Sequence, residues 1–319
     1  MVAAPFSFSG KTEVRMTDQQ PLLNAMSVDV EEYFHASALA QVAPRARWDA
    51  LPSRAEPTTR RLLDLFASRQ VRATFFILGW VAERHPGLVR DIAAAGHEVA
   101  SHGYGHDIVY TLSPAAFRED VRRSRQILED LVGQPVSGYR APSFSITRQS
   151  LWALDVLLEE GYRYDASIFP VRHDRYGIPD APRHPYSLAL HAGTLTEVPP
   201  STVRLGGQNL AVAGGGYFRL LPYGWTRSGL ARLNGRERRP AIFYLHPWEI
   251  DPEQPRLVVG VATKLRHYGN LGRTFGRLAR LLSEFRFATV IDVLEAMGPL
   301  PVTDVNFGPC TSPVSPRPL

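Results

Sequence analysis

Three observations predict an α/β fold built on a parallel sheet. Short apolar runs alternate along the chain with amphipathic stretches of helical period. The 319 residues, 44% of them hydrophobic, suffice for one sizeable core. The residues best suited to chemistry fall just past strand-like runs, where parallel α/β folds carry their sites. The alternation fits an open sheet or a closed barrel.

The elements follow in order. Residues 22–30 form an apolar run of strand character, and 58–68 place Leu62, Leu63, Leu65 and Phe66 at helical spacing. A β-rich run spans 71–78. Pro86 suits the first turn of a helix that Gly96 ends, and 97–101 is a short strand. Ser113-Pro114 caps a long helix to about residue 131. Its partner strand is expected at 137–140. Residues 147–160 are helical as far as Gly161, and 163–167 is a strand. Residues 171–220, rich in Pro, Gly and His with short strand-like pieces near 194–198 and 209–213, break the rhythm and read as an insertion at the mouth of the fold. The rhythm resumes with a helix after Pro222, a strand at 241–245, a helix at 273–284 and a strand at 287–290. One domain is therefore expected over 21–298, between a disordered extension (1–20) and a Pro/Ser-rich tail (299–319).

Composition narrows the function. No apolar run reaches the roughly 18 residues of a membrane helix, so stable insertion is not expected. The first twenty residues lack a basic and then apolar leader, which points to the cytoplasm, with a peripheral place at the inner membrane left open. Cys310 is the only cysteine, so an intramolecular disulfide is excluded. The net charge of +5 comes almost wholly from arginine, since Lys11 and Lys264 are the only lysines among 36 basic residues. The arginines are spread along the chain, so a nucleic-acid partner is not expected. Oligomeric state, a homo-oligomer included, is left open.

Four clusters could carry chemistry. Asp29 and Glu31 are two apart, so on a strand they share a face, where a cation or protons would reconcile their charges. His102 and His106, in SHGYGH, stand at i and i+4, a spacing that lets two imidazoles hold one ion. With a carboxylate they make a two-histidine, one-carboxylate set with open positions. Arg140 ends a strand and could hold a carboxylate. His246 ends the run FYL before Pro247 and suits a general acid or base near neutral pH. Trp248 is either core or a platform for stacking a sugar.

Together these residues resemble the polysaccharide deacetylases of NodB-homology type, over about residues 24–294. The resemblance is carried by the aspartate strand, SHGYGH, RAPSF, YDAS and LHP in that order. VDVEEYF, ATFFILGWVAERHP, HDRYGIP, GGGYFRLLP and FYLHPWEID are similar to the subgroup found beside exosortase and exopolysaccharide loci. The resemblance implies a distorted (β/α)7 barrel. It also implies removal of N-acetyl groups from amino sugars of a polysaccharide, or its lipid-linked precursor, with a divalent metal. Zinc is the expected ion, with cobalt or nickel as alternatives.

By the same resemblance Asp29 is the general base, His102 and His106 are metal ligands, and Arg140 orients Asp29. The Ser143 amide is an oxyanion donor, Asp165 tunes the acid histidine, and His246 is that acid. The family's second aspartate would fall at Val30, which cannot bind a metal; Glu31 matches branches whose ligand comes one residue later. Trp248 and Tyr217 are expected to contact sugar, and Arg175 and Tyr176, placed in 171–220, to contact substrate. Two other readings are weighed. One is an amidohydrolase of allantoin-like or cyclic imide C–N bonds, and the other an inactive carbohydrate-binding barrel.

Overall fold

The computed structural model describes residues 22–305. Five parallel strands pair in chain order: β1 (Leu23–Val30), β2 (Thr74–Ile77), β3 (Glu98–Ser101), β4 (Gly138–Tyr139) and β5 (Tyr164–Asp165). The strand Gly193–Glu197 continues the sheet parallel to β5, and the strand Ile242–Leu245 lies parallel to the free side of β1. Closure between these last two falls to Ser201. Its N–H donates to the Ile242 carbonyl (3.2 Å), and its Oγ accepts from the Ile242 N–H (2.7 Å). Among the described residues these seven parallel strands surround one axis, with the short strand Arg286–Ala288 added parallel to the start of β1, and the fold is a distorted (β/α) barrel.

Helices cover the outside. The helix Ala55–Ser68 leads to β2, Pro86–Ala94 to β3, and Pro114–Val132 to β4. The last is N-capped by Ser113, whose side chain accepts from the Ala116 N–H. Gly133 ends it in the left-handed conformation that glycine adopts without a Cβ penalty.

Alternation along β1 sorts its side chains. Met26, Val28 and Val30 join the large core beneath the helices, while Ala25 joins a smaller cluster with Phe76, Ala100 and Ile242 inside the barrel. Ser27 and Asp29 share Ala25's side, and both meet Arg140. Both faces being covered, β1 is buried almost throughout, as parallel strands are.

Two boundaries differ from expectation. The region 171–220 is not only an insertion, because its strand-like piece at 194–198 lies in a barrel strand, Gly193–Glu197, that is paired on both edges. The strand Tyr186–Leu190 pairs antiparallel with it, and Thr202–Leu205 and Gln208–Ala211 form a separate hairpin. The tail expected from 299 begins with the strand Val302–Asp304, parallel to Tyr186–Leu190, so the ordered domain runs past 298. The extension 1–20 and residues 306–319 lie outside the described residues.

Candidate metal centre and active site

The C-terminal ends of β1, β3 and β4 and of the strand Ile242–Leu245 converge on one mouth. Glu31 leaves β1 one residue beyond Val30, and that one step turns its carboxylate away from the helix-covered side where Val30 packs. Its Oε2 lies 2.6 Å from His106 Nε2 and 3.7 Å from His102 Nε2. Ligand atoms from these three residues all fall within 4.8 Å of one another.

The loop that carries the histidines is tightly held. Gly103 is left-handed (φ +75°), and a Cβ there would stand 2.6 Å from Asp120 Oδ2. Asp120 itself accepts from the Tyr104 and Gly105 N–H groups at 2.9 and 3.1 Å. His106 also has a positive φ, +55°, a conformation costly for a side-chain-bearing residue that its surroundings must enforce. His102 Nδ1 lies 2.8 Å from the Arg140 carbonyl. Only a protonated Nδ1 can donate to that oxygen, and this tautomer leaves the Nε2 lone pair available to a cation beside Glu31.

These residues fit a divalent ion. Two imidazole nitrogens and a carboxylate oxygen are the donor chemistry zinc takes, and Glu31 Oε2 is buried facing these two imidazoles. Burial pushes the Glu31 carboxyl up. The charges of His106 and His246 and the close approach of the His102 and His106 rings outweigh burial and hold it well below the usual range.

Beside this cluster, Asp29 Oδ1 accepts from Arg140 Nη1 at 2.6 Å, with both side chains buried. The same Nη1 reaches Ser27 Oγ (2.8 Å), and Arg140 Nε donates to the Ala166 carbonyl (3.2 Å). The guanidinium stacks 4.1 Å from the Phe76 ring centroid, inside the barrel. His246 Nε2 stands 3.8 Å from both Asp29 Oδ2 and Glu31 Oε1.

Glu249, not Asp165, partners the ring of His246. Its Oε2 lies 3.0 Å from His246 Nδ1 and also accepts from the His246 backbone N–H at 3.2 Å. Arg219, fully buried, donates to the other oxygen of Glu249 at 3.2 Å. Burial alone would depress His246. The charge of Glu31, the hydrogen bond to Glu249 and the charges of Glu249 and Asp29 reverse this and raise it to about 9. Asp165 is instead tied to Ser167 Oγ (2.5 Å) and to Glu197, and burial raises it to about 6. Glu197 is raised well above its range, by burial and then by Asp165. Burial and mutual repulsion thus favour the protonated form of this carboxyl pair.

Trp248 is not an exposed platform. It is buried, stacks between His246 (5.1 Å) and His267 (4.5 Å), and donates from Nε1 to Glu31 Oε1 at 3.0 Å. An indole so enclosed braces the carboxylate instead of offering a face to sugar. Tyr176 and Tyr217 meet through their hydroxyls (3.3 Å) and pack on Phe144, Phe169 and Tyr244 beside His246. Arg175 is exposed on the same loop as Tyr176. Ser143 and Phe144 both take left-handed backbone (φ +54°), and Ser143 Oγ lies 2.6 Å from Ser37 Oγ.

Glu249, Arg219 and Glu197 were not anticipated from the sequence. Glu249 had a signal, since it sits at i+3 from His246 after Pro247, one turn away. Arg219 and Glu197 are brought in by tertiary packing alone.

The architecture is that of the deacetylase- and allantoinase-type distorted barrels. A solved structure of a candidate polysaccharide deacetylase from Mycobacterium smegmatis superimposes with TM-score 0.59 at 23% identity, covering 95% of this chain and 97% of that one. Puue allantoinase gives 0.57 at 16% identity, over 85% and 88%. Residues 47–164 match the polysaccharide deacetylase family, and 166–295 match a domain of unknown function, DUF3473. A peptidoglycan deacetylase from Helicobacter pylori is 32% identical over 108 residues, which are 34% of this chain and 36% of that protein. A chitooligosaccharide deacetylase from Rhizobium leguminosarum bv. trifolii is 32% identical over 99 residues, 31% of this chain and 43% of that protein. The match spans about two-fifths of these relatives' length or less. The stretch 47–164, which carries both histidines and Arg140, is thus similar to the polysaccharide deacetylases.

Proposed function

We propose that the protein is a divalent-metal-dependent N-deacetylase of amino sugars, acting on an exopolysaccharide under construction or its lipid-linked precursor at the inner membrane. The observation that carries this reading is the convergence of Glu31, His102 and His106 with the Asp29–Arg140 pair and the His246–Glu249 pair on one mouth. The relatives' names support a saccharide substrate.

Glu31, His102 and His106 would hold the ion, zinc by preference, and when bound it supplies an acidified water and polarises the scissile carbonyl. The protein's own residues do the rest. Arg140 fixes the Asp29 carboxylate through Oδ1, which leaves Oδ2 to take a proton from an attacking water. The Ser143 amide, in its left-handed turn, is the proposed donor to the oxyanion. His246, carrying a proton on Nε2, gives it to the leaving amine, which would otherwise depart as a poor anion. Glu249 keeps Nδ1 a donor and stabilises the imidazolium that this role requires. Tyr176, Tyr217 and Arg175 are the proposed sugar contacts at the rim.

The test is substrate choice. N-acetylglucosamine oligomers should release acetate, whereas allantoin and cyclic imides should remain intact. Ring opening of the cyclic amides without acetate release would replace this reading with the amidohydrolase one. Sugar binding without any hydrolysis would leave only a binding barrel.

A further inference from the structure

The segment from 254 to 283 holds six cations (Arg256, Lys264, Arg266, Arg273, Arg277 and Arg280) and no acidic residue. Within it the helix Val261–Tyr268 has two unlike faces. His267 and Tyr268 are buried, and His267 stacks on Trp248, which braces Glu31. The outward face carries Val261 and Leu265, one turn apart and 75% and 66% exposed, and the preceding loop adds Val258 at 93%. Leu257 and Val259 pack inward against the core, so the outward Val258 is set by alternation and not by a frayed end.

Apolar exposure continues onto the neighbouring helix Gly215–Leu220. Arg219 of that helix donates to the carbonyls of Arg266 and Gly269, tying the two helices together and leaving Leu220 and Leu221 at the edge of the same patch. Arg256, Lys264 and Arg266 are exposed and form no ion pair among the described residues. Arg266 lies near enough to His173 to help depress it, so the patch reaches the loop that carries Arg175 and Tyr176.

We propose that this face docks the protein on an anionic lipid bilayer, with the mouth of the barrel beside the headgroups. Isolated exposed valines and leucines need no explanation, but a contiguous set ringed by unpaired cations matches an interfacial helix, whose apolar side enters the acyl boundary while its bases meet anionic headgroups. A soluble polyanion would use the cations and gain nothing from Val258, Val261 and Leu265. The inference draws on the proposed function only for the substrate that the docked mouth would meet.

The experiment is co-sedimentation of the full chain with vesicles of phosphatidylcholine alone or with about 30 mol% phosphatidylglycerol. Binding should require phosphatidylglycerol, weaken as salt rises, and fall by about tenfold or more in Leu265→Asp and in Lys264→Glu. Val258→Asp, on a fully solvated loop, should weaken binding similarly with an unchanged melting temperature. Acetate release from soluble chitooligosaccharides should be the same in Leu265→Asp as in the parent, so loss of docking is read separately from loss of chemistry. Absence of binding to the anionic vesicles would overturn the proposal. So would binding indifferent to Leu265→Asp and Val258→Asp, which would indicate a polyanion site.

Discussion

The Nδ1 of His246 lies 3.0 Å from Oε2 of Glu249, three residues further along the same turn, and Arg219 clamps the opposite oxygen of that carboxylate. The imidazole is thereby fixed with Nε2 towards Asp29 and Glu31. Glu249→Gln keeps the shape and removes the charge that stabilises an imidazolium. Turnover should fall about 10²-fold with KM little changed, within the range general acid catalysis supplies. Asp165→Asn should cost far less. A larger loss in Asp165→Asn than in Glu249→Gln would return the tuning role to Asp165. His246→Ala should retain its metal and lose most turnover.

Glu31 and Val30 are neighbours with opposite fates, one aimed into the mouth and the other packed beneath the helices. Glu31→Ala should abolish tight zinc binding measured by titration calorimetry. Val30→Ala should bind zinc as the parent does, at a stability cost of about 1–3 kcal/mol for the methyl groups removed from the core. Normal zinc affinity in Glu31→Ala would reject the ligand assignment.

Trp248 acts on the site through Glu31, so its contribution should appear in metal affinity. Trp248→Phe retains most of the stacking on His246 and His267 and deletes the Nε1–H donor. Zinc affinity should weaken by about 10–100-fold, the usual cost of an outer-shell partner. A change in KM for oligosaccharide with unchanged zinc affinity would favour direct sugar contact instead.

His97 gives the fold a pH dependence away from the site. It is buried beneath Phe66 and Phe75, and its Nδ1 accepts from the Ala73 N–H at 3.1 Å. Burial, helped by the charge of Arg72, depresses it to about 4. Between about 6.5 and 4 the unfolded chain therefore holds a proton that the folded chain refuses. The stability His97 confers is complete above 6.5 and is lost as pH falls through that window, by about 3 kcal/mol at most. Urea unfolding of parent and His97→Asn should show a shallower loss in the variant over this range. Parallel curves would mean His97 is protonated in the folded state.

The barrel was legible where local pattern and tertiary context agree. Ser113-Pro114 and Gly133 mark the ends of their helix in sequence and structure alike. The strand character of 194–198 shows in the sequence, but its turn-rich surroundings conceal that it belongs to the barrel, a place set by neighbours on both edges. Closure through Ser201 has no local signal at all. In the site, the i, i+4 histidines and the alternate carboxylates could be seen because their spacing is itself the geometry. The orientation of Trp248 could not, since whether an indole faces solvent or a carboxylate depends on His267, nineteen positions away and on another helix. Glu249 stands three residues past His246 in the sequence, whereas the burial of Asp165 beside Glu197, which separates it from His246, is a product of the fold.

The most direct test is metal-restored acetate release. Protein stripped by a chelator should not deacetylate N-acetylglucosamine oligomers, and zinc, cobalt or nickel should restore release in the parent. Asp29→Asn should bind the ion equally well and remain inactive, because the ion and the base are separate parts of the site. Undiminished release from the stripped protein, or full activity in Asp29→Asn, would contradict the account.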